Sequence, residues 1–413
     1  PWVSSLSAAS SDMSGWLLMG LPGVAYFTGL SDAAWTAIGL GAGTIINWMI
    51  VAKRLRRYSE IAGDAITLPD FFNNRFKDNK NILLTLTAVW ILIFFVVYAA
   101  SCFVTTGKLF STLFGYSYVS MMIVGAVFVL SYVAIGGFLA ETASDTMQAT
   151  VMIFALSFVL IMGTSRAGGL GAVIQNAKSI PGFFEFFGVS TPIMENGVQQ
   201  VQNGAPLFGE KVRYGILEVL SPLAWGLGYF GMPHVLLRFM AIRDEKEIKT
   251  STIVAAVWVV ISLTAAVMIG IIGRALFPTT LTSASSAETV FILMSQTLFH
   301  PIVAGLTMAG ILAATISSAD SYLLIGSSAV AKNIYQGIFK KDATDKQVMN
   351  VTRIILVVIS IIGIIIALDE NSVIFTIVSF AWAGLGATFG PIMLFSLFWK
   401  RTTRQGAIAG MVS

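Results

Sequence analysis

Long apolar runs recur along the chain between short polar stretches, and they predict ten membrane-spanning helices. About 20 helical residues cross a bilayer, and most of these runs are close to that length. The predicted spans cover 4–30, 34–52, 82–104, 119–139, 146–163, 214–240, 251–276, 302–331, 351–368 and 372–399. The shorter apolar stretch 289–298 predicts a loop helix lying on the bundle, and a short amphipathic piece opens at Pro69 and Asp70.

The first span is interrupted by polar residues at its middle. Asp12 stands there among four serines, with Gly15 close behind. A charge at the centre of a membrane helix costs about 2.5–3.5 kcal/mol, and glycine lets the backbone leave helical geometry. A half-helix, a polar break and a second half-helix expose backbone carbonyls to a cation in ion-coupled transporters. The other reading, a serine-rich soluble amphipathic helix, is excluded by the other nine apolar spans.

Composition places the chain among polytopic membrane proteins. It is 56% hydrophobic and 11% charged, whereas soluble domains average about 45–50% and 25%. The single cysteine, Cys102, excludes an internal disulfide and a cysteine-based metal site. His234 and His300 lie too far apart in sequence to suggest a metal-ligand pair. No nucleophile–base set or phosphate loop is evident, so we do not expect an enzyme.

Lysine and arginine set the orientation in the membrane, because they collect on the cytoplasmic side. Nineteen of them fall inside and six outside when the loop after the second span is cytoplasmic. Arg238 counts with the inside set, and Lys108 and Arg274 count with the outside set. The long loop 166–213 is then extracytoplasmic. The net charge of +4 is explained by cytoplasmic loops of a cell-membrane protein, and we expect no nucleic-acid partner.

Ten spans divide into two halves of five, 4–165 and 214–399, and an odd number per half gives the halves opposite orientations. Inverted repeats of this kind carry broken helices at matching positions. The first break is predicted at 10–15 and its counterpart at 225–233, where three glycines and Pro233 weaken the helix. Close packing of small residues explains either break alone. Two breaks in register favour a binding site.

The eighth span carries a polar cluster that helix packing does not require. Ala314, Ser317, Ser318 and Ser321 follow i, i+3, i+4, i+7 spacing and share one face. Asp320 stands between them. Any single serine here is ordinarily explained by a hydroxyl that hydrogen-bonds to the backbone of its own helix. Together, hard oxygen ligands suit Na⁺ or another hard cation.

Several strings of the chain resemble the sodium/solute symporters, and within that family its proline-transporting members. They are SSLSAASSDMSGWLLMG, LPDFF, GGFLAETASDTMQA, WGLGYFGMPHVLLRFMA, ILAATISSADSYLL, SYLLIGSSAVAKNIYQ and WKRTTRQGAIAG. The resemblance extends over nearly the whole chain. It implies an all-α membrane protein with a five-plus-five inverted-repeat (LeuT-like) core and discontinuous first and sixth helices. It also implies that the chain is the core of a longer protein, with a further helix starting at about 406.

The resemblance also implies two sites. Na⁺ is expected between the first and eighth spans, with Asp12 close by to supply negative charge. Its expected ligands are the carbonyls of Ser10, Met13 and Ala314 and the hydroxyls of Ser317 and Ser318. Substrate is expected at the breaks, at Ser14, Gly20, Tyr98, Trp225, Tyr229 and Pro233.

The chain departs from the family at three positions. Ser318 replaces a threonine, Ser10 replaces an alanine, and Asp320 is an acid where a neutral residue is expected. The acid leaves the number of sodium ions open. We consider a second sodium site at Asp145, Asp320 and Ser321, together with Ser317, and a purely structural network as its alternative.

The expected function is sodium-driven import of L-proline by alternating access across the lipid bilayer. A sodium symporter for another solute, such as a sialic acid, a sugar or a vitamin acid, is the alternative within the family. The same fold can also serve as a membrane sensor when it is fused to a signalling domain.

Overall fold

The computed structural model describes residues 1–135 and 138–413, and their side chains except those of 135–140. The first half contains α1 (Trp2–Asp12), α2 (Leu21–Thr28), α3 (Leu30–Asn47), α4 (Lys53–Ile61), α5 (Leu68–Arg75), α6 (Ile82–Phe114), α7 (Tyr118–Ile135), α8 (Phe138–Arg166) and α9 (Leu170–Ser179). The second half contains α10 (Ile216–Leu223), α11 (Trp225–Gly228), α12 (Pro233–Met240), α13 (Ile248–Leu276), α14 (Ala284–Ala287), α15 (Val290–Leu298), α16 (Pro301–Ser328), α17 (Asp345–Ile366), α18 (Ile374–Phe398) and α19 (Arg404–Val412).

Wider and tighter turns join several of these helices. Wide π-helical turns cover Trp16–Gly20, Trp48–Ala52 and Ala329–Phe339, and tight 3₁₀ turns cover Tyr229–Gly231 and Glu245–Glu247. The second predicted span therefore continues as one helix to Ile61, past its predicted end at residue 52. Charged side chains are compatible with a helix that leaves the membrane.

The described helices agree with the predicted spans. Seven are long and apolar enough to cross a membrane, and three shorter apolar helices occupy Trp16–Thr28, Tyr118–Ala134 and Ile216–Gly231. These ten ranges fall on the ten predicted spans, although residues 136 and 137 at the end of the fourth lie outside the described residues. The expected loop helix and the expected final helix are α15 and α19.

The long loop 166–213 contains more structure than its composition suggests. Besides α9, it forms six two-residue strands in three antiparallel pairs, β1–β6, β2–β3 and β4–β5. The strands are β1 (Gly188–Val189), β2 (Met194–Glu195), β3 (Val198–Gln199), β4 (Val201–Gln202), β5 (Ala205–Pro206) and β6 (Val212–Arg213). Two of the turns between them use Asn-Gly pairs with positive φ at 196–197 and 203–204, which suits tight hairpins.

The centre of the bundle places the two broken helices against the eighth span. α16 packs on α6 and α8, while α1 packs on α8, α12, α13 and α16. The short helix α11 crosses α3 so closely that a side chain on Gly226 would overlap the backbone of Gly39. Gly228 makes a similar approach to Gly386. The sixth-span glycines therefore serve close helix packing, and the chain breaks just after them.

Candidate functional site

The first helix breaks immediately after Asp12. Met13 has φ −92° and ψ 76°, and the helix resumes at Trp16. Ser14 N donates to Asp12 O at 3.2 Å, not to the carbonyl of Ser10 four residues back. The last turn of a helix leaves carbonyls without partners in the backbone ladder. The break therefore frees the Ser10 carbonyl in a fully buried position.

Two hydroxyls of α16 converge on that freed carbonyl. Ser317 Oγ donates to Ser10 O at 2.9 Å and also lies 3.1 Å from Ala314 O. Ser318 Oγ lies 3.4 Å from Ser10 O. All four residues are buried. Because each hydroxyl also has lone pairs, the same oxygens could face a cation once the hydroxyl hydrogens turn away.

Met13 and Asp12 complete the predicted cation-site residues. Met13 lies at the end of α1, where its sulfur accepts from Ser262 Oγ at 3.6 Å. The Asp12 carboxylate faces the sixth span: it accepts from Tyr229 Oη at 2.5 Å and lies 3.3 Å from His234 Nε2. Asp12 thus joins the two broken helices, and its contacts are with Tyr229 and His234.

The second break lies at Met232, whose ψ of 108° is extended, with Pro233 as the first residue of α12. Proline suits a first helical position because no backbone N–H is needed there. Asn47 Nδ2 donates to Tyr229 O at 3.0 Å, which satisfies a carbonyl just before the break. The predicted interruption of the sixth span is therefore present.

An aromatic cluster fills the space beside the first break. Tyr98 stacks on Tyr322 with ring centroids 4.1 Å apart, and Tyr322 Oη donates to Ser11 O at 3.1 Å. The hydroxyls of Ser14 and Tyr98 are buried and have no hydrogen-bond partner in the part of the chain described. Two polar groups are therefore left for a ligand at this point.

The predicted aromatic residues do not form one contact group. Trp225 stacks on Phe375 at 4.9 Å, and its carbonyl accepts from Trp382 Nε1 at 2.7 Å. Tyr229 also contacts the ring of Trp382, at 5.0 Å, while its hydroxyl turns to Asp12. Trp225 and Tyr229 thus both contact Trp382, whereas Tyr98 has its ring contacts with His234 and Tyr322.

Gly20 stands where the outer half of the first helix meets α18. A Cβ at Gly20 would lie 3.4 Å from both Phe375 N and Trp16 Cβ. Glycine therefore leaves a narrow space between α18 and the wide turn of the first helix.

Cavities lie on either side of the second break. One of about 1320 Å³ is lined by Trp225, Gly228 and Phe375, from residues before the break and from α18. Another of about 330 Å³ is lined by Pro233 and Leu237, from residues after the break. Of the predicted substrate residues, Trp225 and Pro233 thus belong to different cavities. Tyr229 and Asp12 are buried at the break itself.

The predicted second cation site contains a cation from the protein itself. Arg238 Nη2 donates to Glu141 Oε1 at 2.6 Å, to Ser321 Oγ at 2.9 Å and to Asp145 Oδ2 at 3.2 Å. Arg238, counted with the cytoplasmic set, is buried inside the protein at 1% exposure. Asp320 Oδ1 accepts from Ser321 N at 2.7 Å.

The acids around Arg238 keep some oxygens unpaired. Glu141 Oε2, Asp145 Oδ1 and Asp320 Oδ2 have no hydrogen-bond partner among the described residues. In that same part of the chain, no group of three His, Cys, Asp or Glu side chains is arranged to hold a metal ion. Asp145 and Ser321 therefore belong to a network around a guanidinium, and Asp320 is bonded to the backbone of Ser321.

Sequence reasoning missed four residues of this centre: His234, Arg238, Tyr322 and Glu141. The signal for two of them was present, because His234 and Arg238 are four residues apart in an apolar run and so share a helix face. Arg238 Nη1 donates to His234 O at 3.0 Å. Lys108 and Arg274, assigned to the outer loops, are also buried.

Comparison with known proteins agrees with this architecture. The family model of the sodium:solute symporter family matches residues 1–413. The "High-affinity proline transporter PutP" of Bacillus subtilis (strain 168) is 40% identical over 413 residues, which cover 100% of this chain and 82% of the relative. The "Sodium/proline symporter" of Escherichia coli (strain K12) is 39% identical over 416 residues, covering 100% and 78%.

Solved structures share the fold at low sequence identity. A Na⁺-coupled sialic acid symporter superposes with a TM-score of 0.78 at 18% identity, covering 100% of this chain and 81% of that one. MhsT in complex with L-phenylalanine gives 0.64 at 15% identity, covering 99% and 91%. The predicted LeuT-like fold is confirmed, and the chain belongs to the sodium:solute symporter family.

Proposed function

We propose that this chain imports L-proline together with sodium by alternating access. The observation that carries the proposal is the convergence of Ser317 and Ser318 on the freed carbonyl of Ser10. Hard oxygens at a break in a membrane helix suit an alkali cation. Relatives about 40% identical over the whole chain are named proline transporters, which supports the choice of solute.

The sodium ligands proposed are the carbonyls of Ser10, Met13 and Ala314 and the hydroxyls of Ser317 and Ser318. The hydroxyls of Ser317 and Ser318 already lie within hydrogen-bond distance of Ser10 O, and that of Ser317 also lies near Ala314 O. Asp12 supplies negative charge from the end of the same half-helix. Its bond to Tyr229 gives the sodium site a direct connection to the sixth span.

The solute is proposed to bind between the breaks, at Ser14, Gly20, Tyr98, Trp225, Tyr229 and Pro233. The unpaired hydroxyls of Ser14 and Tyr98 offer hydrogen bonds to its carboxylate or ammonium group. The surrounding rings offer apolar surface to the pyrrolidine. Separate cavities lie beside the residues before and after the second break.

We also propose that 4–165 and 214–399 are inverted repeats and that the loop 166–213 lies on the extracytoplasmic side of the membrane. Each half then supplies one broken helix to the site, and the bond from Tyr229 to Asp12 is one of the contacts between them.

Reconstitution of the full-length protein in proteoliposomes tests this function. An inward sodium gradient should drive accumulation of labelled L-proline, and the same gradient of potassium should not. Labelled sialic acid and glucose serve as controls for the alternative solutes. Sodium-driven uptake of one of these, with none of proline, would reject the proposed substrate.

We propose a second sodium ion at Asp145, Asp320 and Ser321, which requires a movement of Arg238. Arg238 donates to both Asp145 and Ser321, so it must withdraw from them before a sodium ion can take its place. Nearby carboxylates repel unless a cation or a proton lies between them. Wild type should show a sodium Hill coefficient near two, and Asp320→Ser should reduce it to one. A wild-type coefficient of one would reject the site and leave the network structural.

A further inference from the structure

One face of α3 follows the sixth span over three successive turns. A side chain on Gly39 would overlap the backbone of α10, and one on Gly43 would overlap the backbone of Gly226. One turn further along α3, Asn47 Nδ2 donates to Tyr229 O at 3.0 Å. Residues four apart lie on the same face of a helix. The two glycines therefore let the backbones approach, and Asn47 reaches a main-chain atom of the sixth span.

This hydrogen bond fixes the orientation of the Asn47 amide. A main-chain carbonyl only accepts, so the amide nitrogen must face Tyr229 O and the amide oxygen must face away. That oxygen, Asn47 Oδ1, is buried and has no hydrogen-bond partner in the described part of the chain. A buried unpaired oxygen lowers stability, so an apolar side chain of similar size would pack here more favourably. What the amide provides, and an apolar residue could not, is the donor to Tyr229.

The bond lies at the second break, and α3 with its continuation contacts both sides of that break. Before the break, Gly43 lies against α11. After it, the ring of Trp48 contacts that of Phe239 in α12, with centroids 4.5 Å apart. Between these two contacts, Asn47 donates to Tyr229 O. The two halves of the sixth span are therefore held against one continuous helix of the first half of the chain.

Tyr229 is held at both of its ends. Its carbonyl accepts from Asn47, and its hydroxyl donates to Asp12 Oδ2 at 2.5 Å. The turn Tyr229–Gly231 is 3₁₀, and its hydrogen-bond geometry is poorer than that of an α-helix. Such a turn needs outside contacts to keep its orientation. Rotation of the Tyr229 main chain would move the hydroxyl away from Asp12.

We propose that Asn47 is a positioning residue for the sodium and solute sites. It holds the main chain of Tyr229 so that the Tyr229 hydroxyl reaches Asp12. The inference rests on the proposed function, in which the Asp12 carboxylate supplies negative charge beside the sodium site. Asn47 acts through Tyr229 and needs no contact with either ligand.

Binding of radioactive sodium to the purified full-length protein in detergent, without solute, tests this role. Asn47→Leu removes the amide donor and keeps a side chain of similar size. We expect it to weaken sodium binding about tenfold, which corresponds to the loss of one buried hydrogen bond. Tyr229→Phe, which removes the bond to Asp12, should weaken sodium binding to a similar degree. Because both substitutions act on the same bond, Asn47→Leu should cause no further loss in the Tyr229→Phe background.

Two controls separate positioning from a general structural role. Ser31→Ala removes another buried polar group of α3, a hydroxyl without a hydrogen-bond partner among the described residues, and it should bind sodium like wild type. The unfolding temperature of Asn47→Leu should not fall below that of wild type, because the substitution also removes the unpaired Oδ1. Asn47→Val, with a smaller apolar side chain, should show the same loss of sodium binding and keeps the test available if Asn47→Leu does not fold.

Unchanged sodium affinity in Asn47→Leu, or an equal loss in the wild-type and Tyr229→Phe backgrounds, would overturn this inference and leave the proposed function intact. A fall in unfolding temperature that accompanies the loss of affinity would assign Asn47 a structural role and overturn it as well. Failure of wild type to bind sodium would overturn the proposed function, and this inference with it.

Discussion

A buried ion pair connects the residue just before α15's N-cap to α6 and to the start of α18. Lys108 Nζ on α6 donates to Glu288 Oε2 at 2.7 Å and to Ser372 O at 2.7 Å. Glu288 also accepts from Ile374 N at 2.9 Å and from Phe375 N at 3.0 Å, at the start of α18. The side chains of the pair are 6% and 2% exposed. Substitution here should destabilise the packing of these segments against one another.

The structure predicts unequal effects for the two partners. Removing one member of a buried pair costs about 3–5 kcal/mol, because the other charge is left uncompensated. Lys108→Met leaves Glu288 with two backbone donors at a helix N-terminus, where negative charge is favoured. Glu288→Gln leaves Lys108 facing neutral carbonyls and weakens the two bonds to α18. We expect Glu288→Gln to approach the upper end of that range and Lys108→Met the lower end.

The free energy of unfolding is measured for the purified protein in detergent. Wild type, the two single variants and the double variant together form a double-mutant cycle. The double variant should lose less than the sum of the single losses, because it leaves no unpaired charge. The exposed pair Lys211 and Glu185, at 47% and 43% exposure, is the matched control, and Lys211→Met should cost no more than about 1 kcal/mol. Unfolding of Glu288→Gln at the wild-type free energy, or a double variant whose loss equals the sum of the single losses, would contradict this prediction.

Two further substitutions address the junction between the breaks. Asp12→Asn removes the carboxylate that faces Tyr229 and His234, and it should raise the sodium needed for half-maximal uptake at least tenfold, or about 1.4 kcal/mol; unchanged sodium dependence would leave Asp12 structural. Tyr229→Ala should weaken proline binding more than sodium binding, with Tyr229→Phe separating the ring from the hydrogen bond to Asp12. An equal loss for both ligands would indicate misfolding.

Helix positions and the two breaks could be predicted from the sequence because membrane burial imposes a strong local pattern. A charge at Asp12 inside an apolar span and a proline at 233 are visible without any tertiary information. The serine face of the eighth span was equally visible, since i, i+3, i+4 spacing fixes which side chains share a face. The structure places that face against the first break.

The charge network beside the site could not be predicted in the same way. Arg238, Lys108 and Arg274 occur near span ends, where counting by position assigns them to loops. Their burial depends on partners from distant parts of the chain, such as Glu141 for Arg238 and Glu288 for Lys108. Pairing across about a hundred residues or more leaves no local signal in one sequence.

The loop hairpins were missed for a different reason. Each strand has two residues, too short for an alternating apolar pattern to show. The Asn-Gly turns at 196–197 and 203–204 were the available signal.

Direct binding of radioactive sodium to the purified chain tests the central claim, that sodium binds where α16 meets the first break. Wild type should bind sodium saturably in the absence of solute. Ser317→Ala and Ser318→Ala should each weaken that binding, and the double variant should lose it, whereas Ser360→Ala, at a buried serine of α17 that bonds its own helix, should bind like wild type. Normal sodium binding by the Ser317→Ala/Ser318→Ala double variant would contradict this account.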